Sequence, residues 1–152
     1  MEYTKGSIGR IFLLKFTNGD DIHCELRKLA RKEKVCCAVL FFIGALNRGH
    51  LVTGPKKPEV PPEPNWASFK DGWETLGLGT IFRGGKDPKI HIHVSMGKKD
   101  KMLTGCLRKE SEVFLVMEAV LFELKGVRAA KDIDLATGLE LLRIIKKKGK
   151  RS

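Results

Sequence analysis

The chain has 152 residues, enough for one domain with a real hydrophobic core and no need of staples. Its formal charge of +11 raises nucleic acid as a partner, and no apolar run approaches the roughly 20 residues that span a bilayer. Cys24, Cys36, Cys37 and Cys106 read as free thiols rather than a disulfide framework. Met1 to Gly6 carries no basic-then-apolar leader pattern, so a cytoplasmic protein is expected.

Ile8 to Phe16 is predicted to be a strand, closed by the turn residues Asn18-Gly19-Asp20. Asp20 or Asp21 then caps a helix in which Ile22, Leu26, Leu29 and Ala30 recur at helical spacing. Arg27, Lys28, Arg31 and Lys32 lie on its other side. The apolar run Val35 to Ala45 predicts a strand buried on both faces, ended at Gly44 by a close approach of backbone or ligand. Leu46 to Thr53 follows as a second strand. Five prolines between Gly54 and Pro64 make that segment an extended loop.

Trp73 to Phe82 is expected to be a strand with Gly77 and Gly79 as bulges, and Gly84 to Pro88 a turn. Lys89 to Met96 forms a strand whose hairpin partner is Met102 to Leu107. Glu112 to Leu124 fits either period, and its Val113, Val116, Val120 and Phe122 favour a strand. Short strands near Val127–Arg128 and over Leu139 to Ile145, separated by a turn at Asp132 to Thr137, complete the count. One helix and many strands predict an α+β fold, a large, mostly antiparallel sheet carrying one main helix. Residues 1–145 are expected to be one domain and residues 146–152 a basic tail.

The charge is unevenly spread. Arg143, Lys146, Lys147, Lys148, Lys150 and Arg151 carry six positive charges with no acid among them, and without them the net charge is +5. Arg27 to Lys34 and Lys98 to Lys101 hold two further groups. The tail is either a solvated, lysine-rich end or a phosphate-contacting one.

The strand Lys89 to Met96 holds the strongest chemical signal. Ile90, Ile92 and Val94 alternate with His91 and His93, so both imidazoles leave the same sheet face. If the turn Gly97-Lys98-Lys99-Asp100 pairs His93 with Cys106, opposed side chains lie within about 5.5 Å and all three share that face. A slip of one residue would turn Cys106 away. Two imidazoles and a thiolate suit Zn²⁺, with a fourth position left for water or substrate. Binding needs neutral imidazole and thiolate, so it weakens as pH falls. His50 is a weaker candidate for the fourth position, and His23, on the first turn of the helix, reads as a surface residue. Glu74 is either a carboxylate supporting the metal site and handling protons, or a surface acid. Trp66 and Trp73 flank the proline loop, where they pack across a subunit interface or, for Trp73, into the core.

Four features in order resemble the plants-and-prokaryotes-conserved (PPC) domain. They are Arg10-Ile11-Phe12 followed by Asn18-Gly19-Asp20-Asp21-Ile22, Phe42-Ile43-Gly44-Ala45-Leu46, Gly72 to Thr80, and His91-Ile92-His93 with Thr104-Gly105-Cys106-Leu107. The resemblance runs from about Gly9 to Ile145. It implies a homotrimer built on an antiparallel sheet, with fold-level kinship to acetolactate decarboxylase that confers no activity by itself. Gly72 to Leu76 is similar in position to a plant Gly-Arg-Phe-Glu-Ile-Leu motif implicated in protein partnership, but Trp73 stands where Arg-Phe would. Prokaryotic members typically read Gly-Gly-His-Leu where this chain has Thr104 to Leu107. Cys106 thus replaces a third histidine, which keeps a zinc ligand and tilts the site toward softer metals. The chain has no Arg-Gly-Arg-Pro AT-hook, so the plant device for minor-groove binding is missing.

Three classes of function follow. The leading one is a zinc-binding homotrimeric domain associated with DNA, with Lys146, Lys147, Lys148, Lys150 and Arg151 as weak nucleic-acid contacts. The alternatives are a zinc enzyme of lyase or hydrolase type acting on a small molecule at the metal, and a structural assembly module.

Overall fold

The computed structural model describes residues 1–108 and 110–145. Nine strands and one helix follow in the order β1 (Ser7–Thr17), α1 (Ile22–Lys32), β2 (Cys37–Pro55), β3 (Pro64–Phe69), β4 (Trp73–Gly84), β5 (Asp87–Lys98), β6 (Lys101–Leu107), β7 (Glu112–Lys125), β8 (Ala129–Ile133) and β9 (Glu140–Ile144). The expected α+β fold, dominated by an antiparallel sheet, is what forms. The strand order is β1-β7-β2-β6-β5-β4-β8-β9, with β3 on β2. One contact, Arg83 opposite Ala130, is parallel.

β2 organises the sheet. Its first half, Cys37 to Leu46, lies between β4 and β7. Its second half pairs with β3 and, through Leu51 and Val52, with β6. Because β4 pairs β5 and β5 pairs β6, the strands β2, β4, β5 and β6 close a ring. The two strands expected over 35–53 are therefore one strand of 19 residues. Its register on β7 shifts at Gly44, where φ is +142°. A Cβ at Gly44 would stand 2.6 Å from the Val116 carbonyl oxygen, so a backbone does come close there, but the strand continues past it.

Alternate residues of the ring form the core. Leu40, Phe42, Leu46, Leu51, Ile81, Ile92, Val94, Met96 and Leu107 are buried on its inner side, joined by Met117 and Leu121 from β7. Each such aliphatic side chain stabilises the fold by about 1.5–3 kcal/mol. Gly77 and Gly79 keep regular register with both neighbours and are not bulges. They make room for the core: a Cβ on Gly77 would lie 2.0 Å from the Phe42 ring and one on Gly79 2.7 Å from Leu40.

α1 packs on this core through Ile22, Leu26 and Ala30. Asp21 is its cap, accepting from the Cys24 amide at 2.8 Å. The same carboxylate accepts from the Ser111 amide at 3.1 Å, and the Ile22 amide donates to the Ser111 carbonyl. The helix start is thus tied to the segment that follows β6. The Gly84–Pro88 turn is shorter than expected, since Gly84 already pairs with Asp87. β3 was not foreseen, and the strand expected near Val127 begins at Ala129. No helix among the described residues is long and apolar enough to cross a membrane. The basic residues Lys146, Lys147, Lys148, Lys150 and Arg151 lie outside the described residues.

Candidate metal centre

β5 sends Ile92, Val94 and Met96 into the core and His91 and His93 out of the opposite face. The β5–β6 hairpin turns on Lys99-Asp100, with Lys98 opposite Lys101 and Lys99 at φ +55°. That tight turn fixes the register so that His93 faces Cys106 directly, the pairing the three-ligand geometry needs. The ligand atoms of His91, His93 and Cys106 all lie within 4.8 Å of one another. The two imidazole Nε2 atoms are 3.2 Å apart, with the rings edge to face. Metal–nitrogen bonds of about 2.0–2.1 Å and metal–sulfur bonds of about 2.3 Å around a tetrahedral ion require ligand separations of roughly 3.3–3.6 Å. The donor set therefore fits a zinc-like ion with only small side-chain movement.

Burial grades across the cluster. Cys106 is buried, and both imidazoles open toward solvent, His91 less than His93. Burial drives the His91 pKa down to about 4, helped by the positive fields of Lys131 and Arg108 and by its neighbours His93 and His23. His91 is thus neutral, the form that binds metal, throughout the physiological range. Burial also pushes the Cys106 thiol up, while Arg108 and Lys131 pull it down. A metal would have to displace that thiol proton.

Several groups were not foreseen around the cluster. Arg108 lies two residues past Cys106, its amide held by the His50 carbonyl at 2.8 Å and its carbonyl by the Ser111 hydroxyl at 2.6 Å. The spacing from Cys106 was a readable signal. Lys131, on β8 beyond β4, lends its positive field to both His91 and Cys106 and had no signal in the sequence. His23 is half-buried instead of lying on the surface, and its Nδ1 is shut off from solvent without a hydrogen-bond partner.

Other expected residues stand apart. Glu74 is exposed and pairs with Gly97, four residues along β4 from Leu78, the residue opposite His93. At about 3.3 Å per residue it is roughly 13 Å from the ligands, too far to support them. His50 is exposed, with Nε2 3.5 Å from a Glu110 carboxylate oxygen. Trp73 belongs to the core, its indole N–H donating to the Lys70 carbonyl at 2.9 Å and its ring edge-on to Phe69. Trp66 is exposed on β3.

One cross-strand row ties the cluster to the rest of the sheet. Leu13 lies opposite Val120, Val120 opposite Phe41, Phe41 opposite Leu78, Leu78 opposite His93, and His93 opposite Cys106. Leu13, Phe41 and Leu78 are exposed, as are Ile11, Ile43 and Leu76 on the same strands. The ligands therefore end a broad apolar sheet face.

Several solved structures match most of the chain, among them these three. A plant- and prokaryote-conserved (PPC) protein from Pyrococcus horikoshii is 27% identical with a TM-score of 0.82, over 97% of this chain and 100% of that one. A metal-containing protein from Archaeoglobus fulgidus is 23% identical with a TM-score of 0.81, over 96% and 100%. A candidate DNA-binding protein from Ralstonia eutropha is 18% identical with a TM-score of 0.74, over 88% and 90%. The last two likenesses are of fold. No curated protein matches the chain. The family model of the Plants and Prokaryotes Conserved (PCC) domain matches residues 3–125, and with the sheet, helix and hairpin register above, the chain belongs to that family.

Proposed function

We propose that this protein is a zinc-binding homotrimer of the PPC family, cytoplasmic and associated with DNA, in which His91, His93 and Cys106 hold the metal. Residues 1–145 act as its domain and residues 146–152 as a basic extension. The observation that carries the reading is the three ligand atoms within 4.8 Å of one another on a register-locked hairpin. The family likeness to a metal-containing protein supports it.

The trimer rests on the exposed face of Ile11, Leu13, Phe41, Ile43, Leu76 and Leu78. A contiguous apolar patch of this kind on a sheet marks an association surface. A second and third copy of the same chain can cover it in a closed rotation. The DNA reading rests on the net charge of +11 and on likeness to candidate DNA-binding proteins. Trimerisation would multiply the basic surface and add avidity.

A second reading is favoured by one feature. Three protein ligands leave a position open for water or substrate, the arrangement of catalytic zinc. A zinc-dependent enzyme acting on a small molecule is the runner-up.

The test is elemental analysis of untagged protein that has never met a nickel column, beside the His91→Ala, His93→Ala double variant. About one zinc per chain, lost in the variant, is expected. Equal metal in both, or none in either, would overturn the site. Light scattering of the same samples reads the trimer, and DNA retention across a salt series reads the electrostatic partner.

A further inference from the structure

We infer that copies of this chain join knob into hollow: Leu115 of one copy, with Phe114 beside it, seats in a hollow on the outer sheet face of the next. The inference rests on the homotrimer reading above and names the surfaces that meet. It does not depend on the metal.

The first argument is the hollow. Ile43, Leu76, Met102 and Val116 line a cavity of about 580 Å³ on the sheet face that also carries the exposed Phe41 and Leu78. Gly97 lies within it, paired with Glu74 of β4 on one side and Met102 of β6 on the other. Glycine between two paired strands weakens them and calls for a reason. The described residues supply none. Gly97 has no positive φ, and a Cβ built on it would meet no atom within 4 Å. Gly77 and Gly79 clear space for the chain's own core, whereas Gly97 clears space only on the outside. Such a glycine marks a close approach by another molecule.

The second argument is the knob. On β2, Gly44 faces Met117 and the next residue, Ala45, faces Phe114, so β7 bulges between them. Leu115 sits in that bulge at φ +59° and is 70% exposed. Leucine is disfavoured in the left-handed region. It is nevertheless held there, its amide donating to the Asn18 side-chain oxygen at 2.9 Å. The strained backbone thus presents a large apolar side chain to water, which does nothing for a solitary chain.

The third argument is placement. Val116 lines the hollow and Leu115 precedes it, so knob and hollow stand side by side. A surface that carries its own complement is satisfied by copies of itself, each giving its knob to the next until the rotation closes. Ile43 and Leu76 already belong to the apolar face assigned to the trimer, and the hollow continues that face. The charges agree. Glu118 lines the hollow, and Lys99 shares a cleft with Phe114 on the side of the knob. Among the described residues, neither makes an ion pair within the chain. Opposite charges therefore meet when a knob enters a neighbouring hollow.

The test is sedimentation of the full chain, of Leu115→Gly and of Gly97→Leu over a concentration series, with circular dichroism of each. Glycine relieves the left-handed φ at 115, and a side chain at 97 enters open space, so both variants should keep the native sheet spectrum. Each should raise the protein concentration at half-assembly by about thirtyfold or more. If Leu115 were only a tolerated bulge, Leu115→Gly would assemble at least as well as the native chain. A native trimer whose assembly neither variant weakens would overturn the knob and hollow and leave the trimer standing. A monomeric native chain would overturn the trimer reading and this contact with it. A native dimer that both variants dissociate would overturn the threefold count and keep the contact.

Discussion

The two ends of the β5–β6 hairpin are both crowded with positive charge, and they treat it in opposite ways. Near the turn, a cleft is lined by Arg48, His50, Lys70, Lys98, Lys99 and Lys101, but Asp71, Asp100 and Glu110 are interleaved with them. Arg48 lies 2.7 Å from Glu112, His50 faces Glu110, and Lys98 donates to the backbone carbonyls of Lys70 and Asp71. At the other end, Arg108 follows Cys106 by two residues and, among the described residues, pairs with no acid. Density of lysine and arginine does not mark a binding centre. Ligand-type side chains gathered within 4.8 Å of one another do.

The contrast breaks most sharply at Cys106. Zinc should raise the melting midpoint of the native chain by mass action, and Cys106→Ser should abolish most of that rise while hardly moving the metal-free midpoint. Differential scanning with and without zinc reads it. Cys106→His should restore the rise.

Asp21→Ala strikes the anchor behind Arg108. It removes the helix cap and the acceptor of the Ser111 amide, and should cost about 1 kcal/mol in denaturant unfolding.

pH separates the two ends without mutation. In the metal-free fold His91 stays neutral down to about 4, whereas its ordinary value is 6.5. The unfolded chain therefore binds more protons between these values, and stability falls as pH drops from 6.5 toward 4. Glu112 at the turn end is held below its ordinary 4.5 by hydrogen bonds from Asn47 and Arg48. Its contribution is present above 4.5 and is lost as pH falls through the lower folded value. A His91→Phe variant should therefore lose the upper part of the pH dependence and keep the lower part. The smallest effect belongs to Arg48→Gln. Arg48 is solvent-exposed and Glu112 keeps its hydrogen bond from Asn47, so stability read from the melting midpoint should fall by less than about 1 kcal/mol and the zinc content should not change.

Much of this arrangement was legible in the sequence. The alternation of Ile90, Ile92 and Val94 with two histidines fixed their common face, and the short turn at Lys99-Asp100 made the pairing with Cys106 readable. Asp21 and the spacing of Ile22, Leu26 and Ala30 gave the helix. Glu112 to Leu124 suited either period, and it is a strand because β1 and β2 both pair with it. Local signals failed where distant backbone decides. Gly44 reads as a terminator, yet it lets β2 pass the Val116 carbonyl and change partners. Gly77 and Gly79 read as bulges, but they are flat strand positions emptied for Phe42 and Leu40. β3 hides behind prolines because it is an edge strand carrying an exposed Trp66. β8 joins β4 through a parallel contact, Arg83 opposite Ala130, a pairing no local pattern announces.

The double use of β2 has a kinetic consequence. In an open sheet an outer strand can fray while the rest holds, but β4, β5 and β6 are closed between two halves of one chain segment, and none can peel away alone. Backbone amides of β5 should then exchange with solvent deuterium only through rare openings close to global unfolding, far more slowly than those of β9 at the sheet's far end. The spacing of the two imidazoles is set by a strand held on both sides within that ring, so an incoming ion meets nitrogens already near chelating distance.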